Sequence, residues 1–300
     1  MREAHLRDFV AVVEAGSVRA AARQIGLTQG AVSKNLSALE REFGVPLLVR
    51  SRQGVEPTDY GRILLRRARL VQGELRKAQE EIAALSGDKS GAVSVGLSST
   101  AEWLLASHAI RRFRGERPDV LVSIQGGSAT TLAGALREGR LDFAIVPIGG
   151  PRLGNVDLRV ERLLSADMAI VARRDHPCAK ARRLAELAPY EWVLGARPGD
   201  TEPAIAGLFA QARMPVPRFA IQRDSFSALV FLLMKSDYLA VTSLPPISPF
   251  CEAGMLTVVP VAVELPPMVQ YLVTSAVRPL APNAQSLANE FRRASRSQRR

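Results

Sequence analysis

The sequence predicts an α/β protein in three parts: a winged helix-turn-helix over 1–57, a long helix over 58–87 and a two-lobed α/β domain over 88–300. Three observations predict it. Residues 17–43, SVRAAARQIGLTQGAVSKNLSALEREF, carry two helical patterns that meet at a glycine. From Leu64 to Leu85 apolar residues recur in alternating steps of four and three. Beyond Gly91 short strand-like runs alternate with helix-like ones.

Leu6, Phe9, Val10 and Val13 give a first helix with one apolar face. Ser17 then reads as an N-cap, and Ala20, Ala21, Gln24 and Ile25 keep helical spacing until Gly26 stops it. After the turn Leu27 is expected in the core and Thr28 caps a second helix, whose buried stripe is Val32, Leu36, Leu39 and Phe43. The wheel leaves Gln29, Gly30, Ser33, Lys34 and Ser37 outward, without bulky apolar residues. Such groups hydrogen-bond base edges or phosphates, and the arrangement is a helix-turn-helix. A plain surface hairpin of helices remains the alternative for this stretch alone. Gly44-Val45-Pro46 breaks the helix, and Leu47–Arg50 and Val55–Glu56 form two strands joined through Ser51, Arg52, Gln53 and Gly54. That hairpin is a wing. Arg50 and Arg52 on it suit phosphates or a minor groove, where the gain is electrostatic and blind to sequence. The expected DNA-facing set is therefore Thr28, Gln29, Gly30, Ser33, Lys34, Ser37, Arg50 and Arg52.

Thr58 and Asp59 read as the cap and first turn of a helix reaching about Ser86. Leu64, Ala68, Val71, Leu75, Ala78, Ile82 and Leu85 form a heptad seam among arginines and glutamates. A helix of roughly 30 residues is about 45 Å long, and a seam of that length calls for a second copy. Packing on its own domain is the alternative.

Ser86 to Gly91 is a polar hinge. Ala92–Leu97, Val120–Gln125 and Phe143–Val146 read as strands alternating with helices over 101–114 and 132–138, a βαβαβ unit. Met168–Ala172, Trp192–Leu194, Phe219–Ile221 and Tyr238–Thr242, with helices over 201–212 and 225–235, repeat the theme in a second lobe. Ligands of open α/β sheets lie beyond the carboxyl ends of strands, near helix N-termini. Ser98, Ser99, Thr100, Ser128 and Thr130 occupy such turns in the first lobe, Thr201 and Ser225 in the second. Small hydroxyls at helix N-termini suit a carboxylate or sulfonate; each also has a plain capping role.

The formal net charge of +11 invites a nucleic-acid partner, although arginine and alanine bias can reflect genomic composition, and five arginines crowd the last nine residues. No window approaches the roughly 20 apolar residues of a membrane span, and residues 1–22 lack a secretory h-region, so a cytoplasmic protein with no membrane partner is expected. Cys178 and Cys251 have no metal-ligand spacing, nor have the three histidines. No GxSxG or phosphate-loop pattern occurs, so neither an enzyme nor a cofactor or metal is expected. His176 beside Cys178 raises an activated thiolate, and the two cysteines a redox sensor, as lesser readings.

AAARQIGLTQGAVSKNLSALEREFGVPLLVRS, followed by Gly54, Thr58 and Gly61 and the long helix, resembles the N-terminal region of LysR-type transcriptional regulators; LREGRLDFAI extends the likeness loosely into the rest. The resemblance implies a winged helix-turn-helix on double-stranded DNA, a linker helix for dimerisation, tetramers as dimers of dimers, and an effector domain of periplasmic-binding-protein type. It also implies a small organic or aromatic acid as effector and DNA upstream of the regulator's own gene as a target. Lobe 1 would span about 91–163 and 268–300, lobe 2 about 164–267. Gln29 matches a base-reading position, Ser33 and Lys34 the DNA face, and Arg50 the wing arginine. Gly30 departs from a common proline, and Glu56-Pro57-Thr58 from the usual wing ending. The rival class is a cytoplasmic small-molecule binding protein whose N-terminal helices serve assembly only.

Overall fold

The computed structural model describes residues 2–51, 54–86, 90–148, 157–195, 202–223 and 225–298. It divides into two compact units, 1–88 with 137–140 and 89–136 with 141–300.

In the first unit, α1 (Glu3–Ala15), α2 (Val18–Gln24) and α3 (Gln29–Phe43) enclose a core in which Phe9, Val12, Ala21, Val32 and Leu39 lose all contact with solvent. Ser17 caps α2 by accepting from the Ala20 N–H, and Thr28 caps α3 by accepting from the Ala31 N–H. Gly26 makes the turn in the left-handed region. Two expected core residues are outside. Leu27 stands in the turn itself and is exposed, and Phe43, on the last turn of α3, is 46% exposed. So short a trio of helices is filled by the inner residues, and the stripe ends at Leu39. On α1 it is Val12, more than Val13, that the core takes.

The wing is an antiparallel pair, β1 (Leu48–Ser51) and β2 (Gly54–Pro57). Its base is pinned from three sides. The Glu40 carboxylate of α3 accepts from the N–H groups of Leu47 and Leu48 at 2.8 and 3.2 Å. The Val55 N–H donates to the Gly16 carbonyl at 2.8 Å, and the Thr58 N–H to Leu47 at 3.0 Å. Because α4 (Asp59–Leu85) starts against that same Leu47 carbonyl, a Cβ on Gly61 would collide with it.

Thr58 caps α4, accepting from Gly61 N–H at 3.0 Å. Gly61, Leu65 and Ala68 are buried in the N-terminal core. The first turns of the expected seam are therefore consumed by the helix's own unit. From Val71 onward the apolar edge is open, with Ile82 66% and Leu85 90% exposed. That leaves about two free heptads where the pattern alone suggested three.

In the second unit, β3 (Gly91–Leu97), β4 (Val120–Gly126) and β5 (Phe143–Pro147) are parallel. With β6 (Leu158–Ala166) and β12 (Met268–Ser275) they make a sheet of order β4-β3-β5-β12-β6, in which β12 runs antiparallel to both neighbours. Buried strands alternate faces. Phe143 and Ile145 meet Phe113, Leu287 and Phe291 of α6 (Ser107–Glu116) and α11 (Pro282–Ser297); Ala144 and Val146 meet Leu132 and Leu136 of α7 (Ala129–Arg137). The helix preceding β4 runs over 99–116: α5 (Ser99–Ala101), one π turn (Glu102–Ala106) and α6.

The second lobe is built on β7 (Met168–Arg173), β8 (Trp192–Leu194), β9 (Phe219–Gln222), β10 (Ala240–Ser243) and β11 (Leu256–Val258). Antiparallel β10-β7-β11 and parallel β8-β9 are joined through a bridge between Trp192 and Leu239. Helices α8 (Glu202–Gln211), α9 (Phe226–Lys235) and α10 (Ser248–Glu252) complete it. The chain enters this lobe at Asp167 and returns to β12. β6, β11 and α10 are additions to the elements expected from the sequence.

Candidate functional site

The first candidate surface is the outer face of α3. Gln29, Gly30, Lys34 and Ser37 are exposed, and Ser33 is half-buried. Thr28 is exposed as well, but its hydroxyl oxygen is engaged by the Ala31 N–H at 3.2 Å. No heavy atom stands within 4 Å of a Cβ built on Gly30, so that residue leaves the first turn bare without being required by packing. The backbone of Arg50 lies on β1 opposite Val55. Arg52 and Thr201 lie outside the described residues.

Behind this face is a pair that periodicity did not single out. Asn35, on the far side of α3, donates from Nδ2 to Asp8 Oδ2 at 2.7 Å, and the Asp8 side chain is fully buried.

The second candidate surface is the carboxyl edge of the lobe 1 sheet. β3 and β4 end in register, Leu97 opposite Gly126, so the turns beginning at Ser98 and Ser128 share one end of the sheet. Ser98 Oγ accepts from the Ala101 N–H at 3.2 Å and donates to Gln270 Oε1 at 2.7 Å. Ser128 Oγ accepts from the Thr131 N–H at 3.3 Å and pairs with the Thr131 hydroxyl at 2.9 Å. In the other lobe Ser225 Oγ accepts from the Ala228 N–H at 3.3 Å and pairs with Ser227 at 2.7 Å. All three serines thus serve as caps. Ser98 and Thr100 are buried, Ser99 half-buried, and Thr130 and Ser225 exposed. The N–H groups at the start of a helix have no partner within it, so these turns offer backbone donors whatever their hydroxyls do.

Gln270, on β12, was not anticipated. It is wholly buried, its Oε1 takes the Ser98 hydroxyl, and its Nε2 has no partner among the described residues. Turning the amide over only moves the vacancy to the oxygen. A buried donor left unmade costs about 1–3 kcal/mol.

His176 and Cys178 do meet, in an arrangement that does not activate the thiol. His176 Nδ1 accepts from the Cys178 N–H at 3.0 Å and lies 3.0 Å from Cys178 Sγ, while His176 Nε2 lies 3.0 Å from the Asp237 carbonyl. Burial pushes the Cys178 thiol up to about 11, the opposite of an activated thiolate. Burial raises Cys251 too. Among the described residues there is no cluster of three or more acidic, histidine or cysteine side chains able to hold a metal. No described helix is long and apolar enough to cross a membrane.

Residues 4–62 match the family described as bacterial regulatory helix-turn-helix protein, lysR family, and residues 86–296 the LysR substrate binding domain. The HTH-type transcriptional regulator TdcA of Escherichia coli K12 is 31% identical over 268 residues, which cover 87% of this chain and 83% of that protein. The SDS degradation transcriptional activation protein of a Pseudomonas strain is 30% identical over 288 residues, 94% of this chain and 92% of that one. Among solved structures, CbnR, a LysR family transcriptional regulator, superposes with a TM-score of 0.70 at 22% identity, covering 98% of this chain and 99% of that chain. Full-length CbnR with its target DNA superposes at 0.69 with 21% identity, covering 98% and 100%.

Proposed function

The chain belongs to the LysR family of bacterial DNA-binding transcriptional regulators, and on that footing we propose how its own residues divide the work. Gln29, Ser33 and Lys34 read base edges in the major groove, with Thr28, Gly30 and Ser37 lining the approach and Arg50 and Arg52 holding the backbone. Residues 1–57 form the DNA-binding domain, 58–87 the dimerisation helix and 88–300 the effector domain, in a homotetramer working in the cytoplasm. The observation that carries this reading is the outer face of α3, small and polar over a capped N-terminus, with its apolar stripe turned inward.

The effector is a small organic or aromatic acid bound between the lobes, at the turns of Ser98, Ser99, Thr100, Ser128, Thr130, Thr201 and Ser225. Helix N-termini favour its anionic group. The Gln270 N–H beside Ser98, which has no partner among the described residues, adds weight, since an acid brings an acceptor oxygen. Binding closes the lobes and shifts the population of tetramer arrangements, and with it the bend of the bound DNA.

Gln29→Ala tests the base-reading role. It should cost about 1–3 kcal/mol on the specific site and leave random DNA almost untouched. Equal losses on both, measured by fluorescence anisotropy, would remove Gln29 from base readout.

A further inference from the structure

We propose that Asp8 and Asn35 form a clamp that fixes the rotation of α3 about its own axis, making them positioning residues for DNA recognition. The inference rests on the DNA-reading role of α3 given above.

Asp8 is an unusual tenant for its place. Its side chain is fully buried beside Phe9 and Val12, where a leucine would fit the apolar stripe. Each oxygen has its own partner. Oδ1 takes the Nε and Nη2 groups of Arg7 at 3.3 and 3.2 Å, from the neighbouring position on α1. Oδ2 is thereby left for α3, and receives Asn35 Nδ2 at 2.7 Å across 27 residues of chain. A buried carboxylate held by a half-exposed arginine and an amide is often no more stabilising than apolar residues of similar size, and the best attested use of such buried polar pairs is to fix register.

The register fixed here is that of the recognition surface. Ser33 and Ser37 each stand two residues from Asn35, about 200° round a helix of 3.6 residues per turn. Asn35 therefore holds α3 from the side opposite its polar face. The apolar contacts of Val32, Leu36 and Leu39 resist separation of the helices but oppose a small roll less than a hydrogen bond does, because dispersion has no preferred direction. Glu40 ties the end of α3 to the wing, and Asn35 ties its middle to α1. With side-chain tips about 5–6 Å from the axis, a roll of 15° sweeps them by roughly 1.5 Å, several times the tolerance of a base contact.

The test compares three variants of the full chain on DNA from upstream of its own gene and on random DNA. Asp8→Leu with Asn35→Leu removes the clamp while restoring an apolar fit. The protein should fold, bind random DNA as before and lose about tenfold to a hundredfold of its specific-over-random ratio, the size of one good base contact. An unchanged ratio in this folded variant overturns the clamp. Asp8→Asn with Asn35→Asp keeps one carboxylate against one amide and should retain the ratio, whereas Asn35→Ala alone should lose it. Equal loss in these two variants also overturns it, even if the double-leucine protein fails to fold. A crystal structure of the double-leucine protein, or of the Asn35→Ala protein in its place, reads the same point without DNA. α3 rolled by about 10° or more against α1 supports the clamp, and an unrotated α3 excludes it. Should the wild type show no specific site, the base-reading premise fails and the crystal comparison decides the clamp by itself.

Discussion

Aspartates in place of Val71 and Ile82 are expected to leave the protein monomeric and to weaken its DNA binding about a hundredfold to ten-thousandfold. That range is what linking two binding modules supplies without any new contact to DNA. α4 leaves part of its apolar edge unburied. Its early turns give Leu65 and Ala68 to the N-terminal core, while Val71, Leu75, Ile82 and Leu85 remain as an exposed apolar edge spaced for a coiled coil. A charge on that edge costs the single chain little, because both side chains already face water. Against a second helix it is buried without a partner, which is far more costly. Sedimentation should show half the wild-type mass or less, with an unchanged far-ultraviolet spectrum. A variant that still sediments with the wild type would move dimerisation away from α4.

Gly61→Ala is expected to destabilise the N-terminal unit by about 1–3 kcal/mol or more, and to lower its melting temperature by on the order of 10 °C. The added methyl meets the carbonyl of Leu47, which is backbone and accepts the Thr58 N–H, so it has nowhere to move without loosening the wing. Gly30→Ala is the matching control. Nothing stands within 4 Å of its Cβ, and the same methyl should stabilise α3 by up to about 1 kcal/mol from helix propensity. Scanning calorimetry of the two variants should therefore give shifts of opposite sign. A Gly61→Ala protein melting with the wild type would show that the wing and α4 are not joined so closely.

These two positions also mark what could be read in the sequence. Local chemistry was legible. The caps at Ser17, Thr28, Thr58, Ser98 and Ser225 follow from side chains bonding three residues onward, and the stripe of α3 from its period. β6 was not legible, because Arg159, Glu161 and Arg162 put charges on an exposed edge strand, where half the alternation that marks a strand is lost. β11 and α10, of three and five residues, are too short to show a period. Leu27 and Phe43 were misplaced because a pattern gives the direction of a side chain and not the depth of the core beneath it. The site shows the same divide. Serines at the sheet edge were found from their turns, but Gln270 meets Ser98 across 172 residues and Asn35 meets Asp8 across 27, and no local rule joins such pairs.

The proposed function makes this chain an effector-controlled, sequence-specific DNA-binding regulator. Fluorescence anisotropy of the full chain on DNA from upstream of its own gene tests it most directly, with random competitor, across a salt series and with a panel of small organic acids. Saturable binding about a thousandfold tighter than to random DNA, altered by at least one acid, is the expected result. Binding that fell equally on every DNA as salt rose, and that no acid changed, would contradict it, leaving only the general attraction of a basic protein for phosphates.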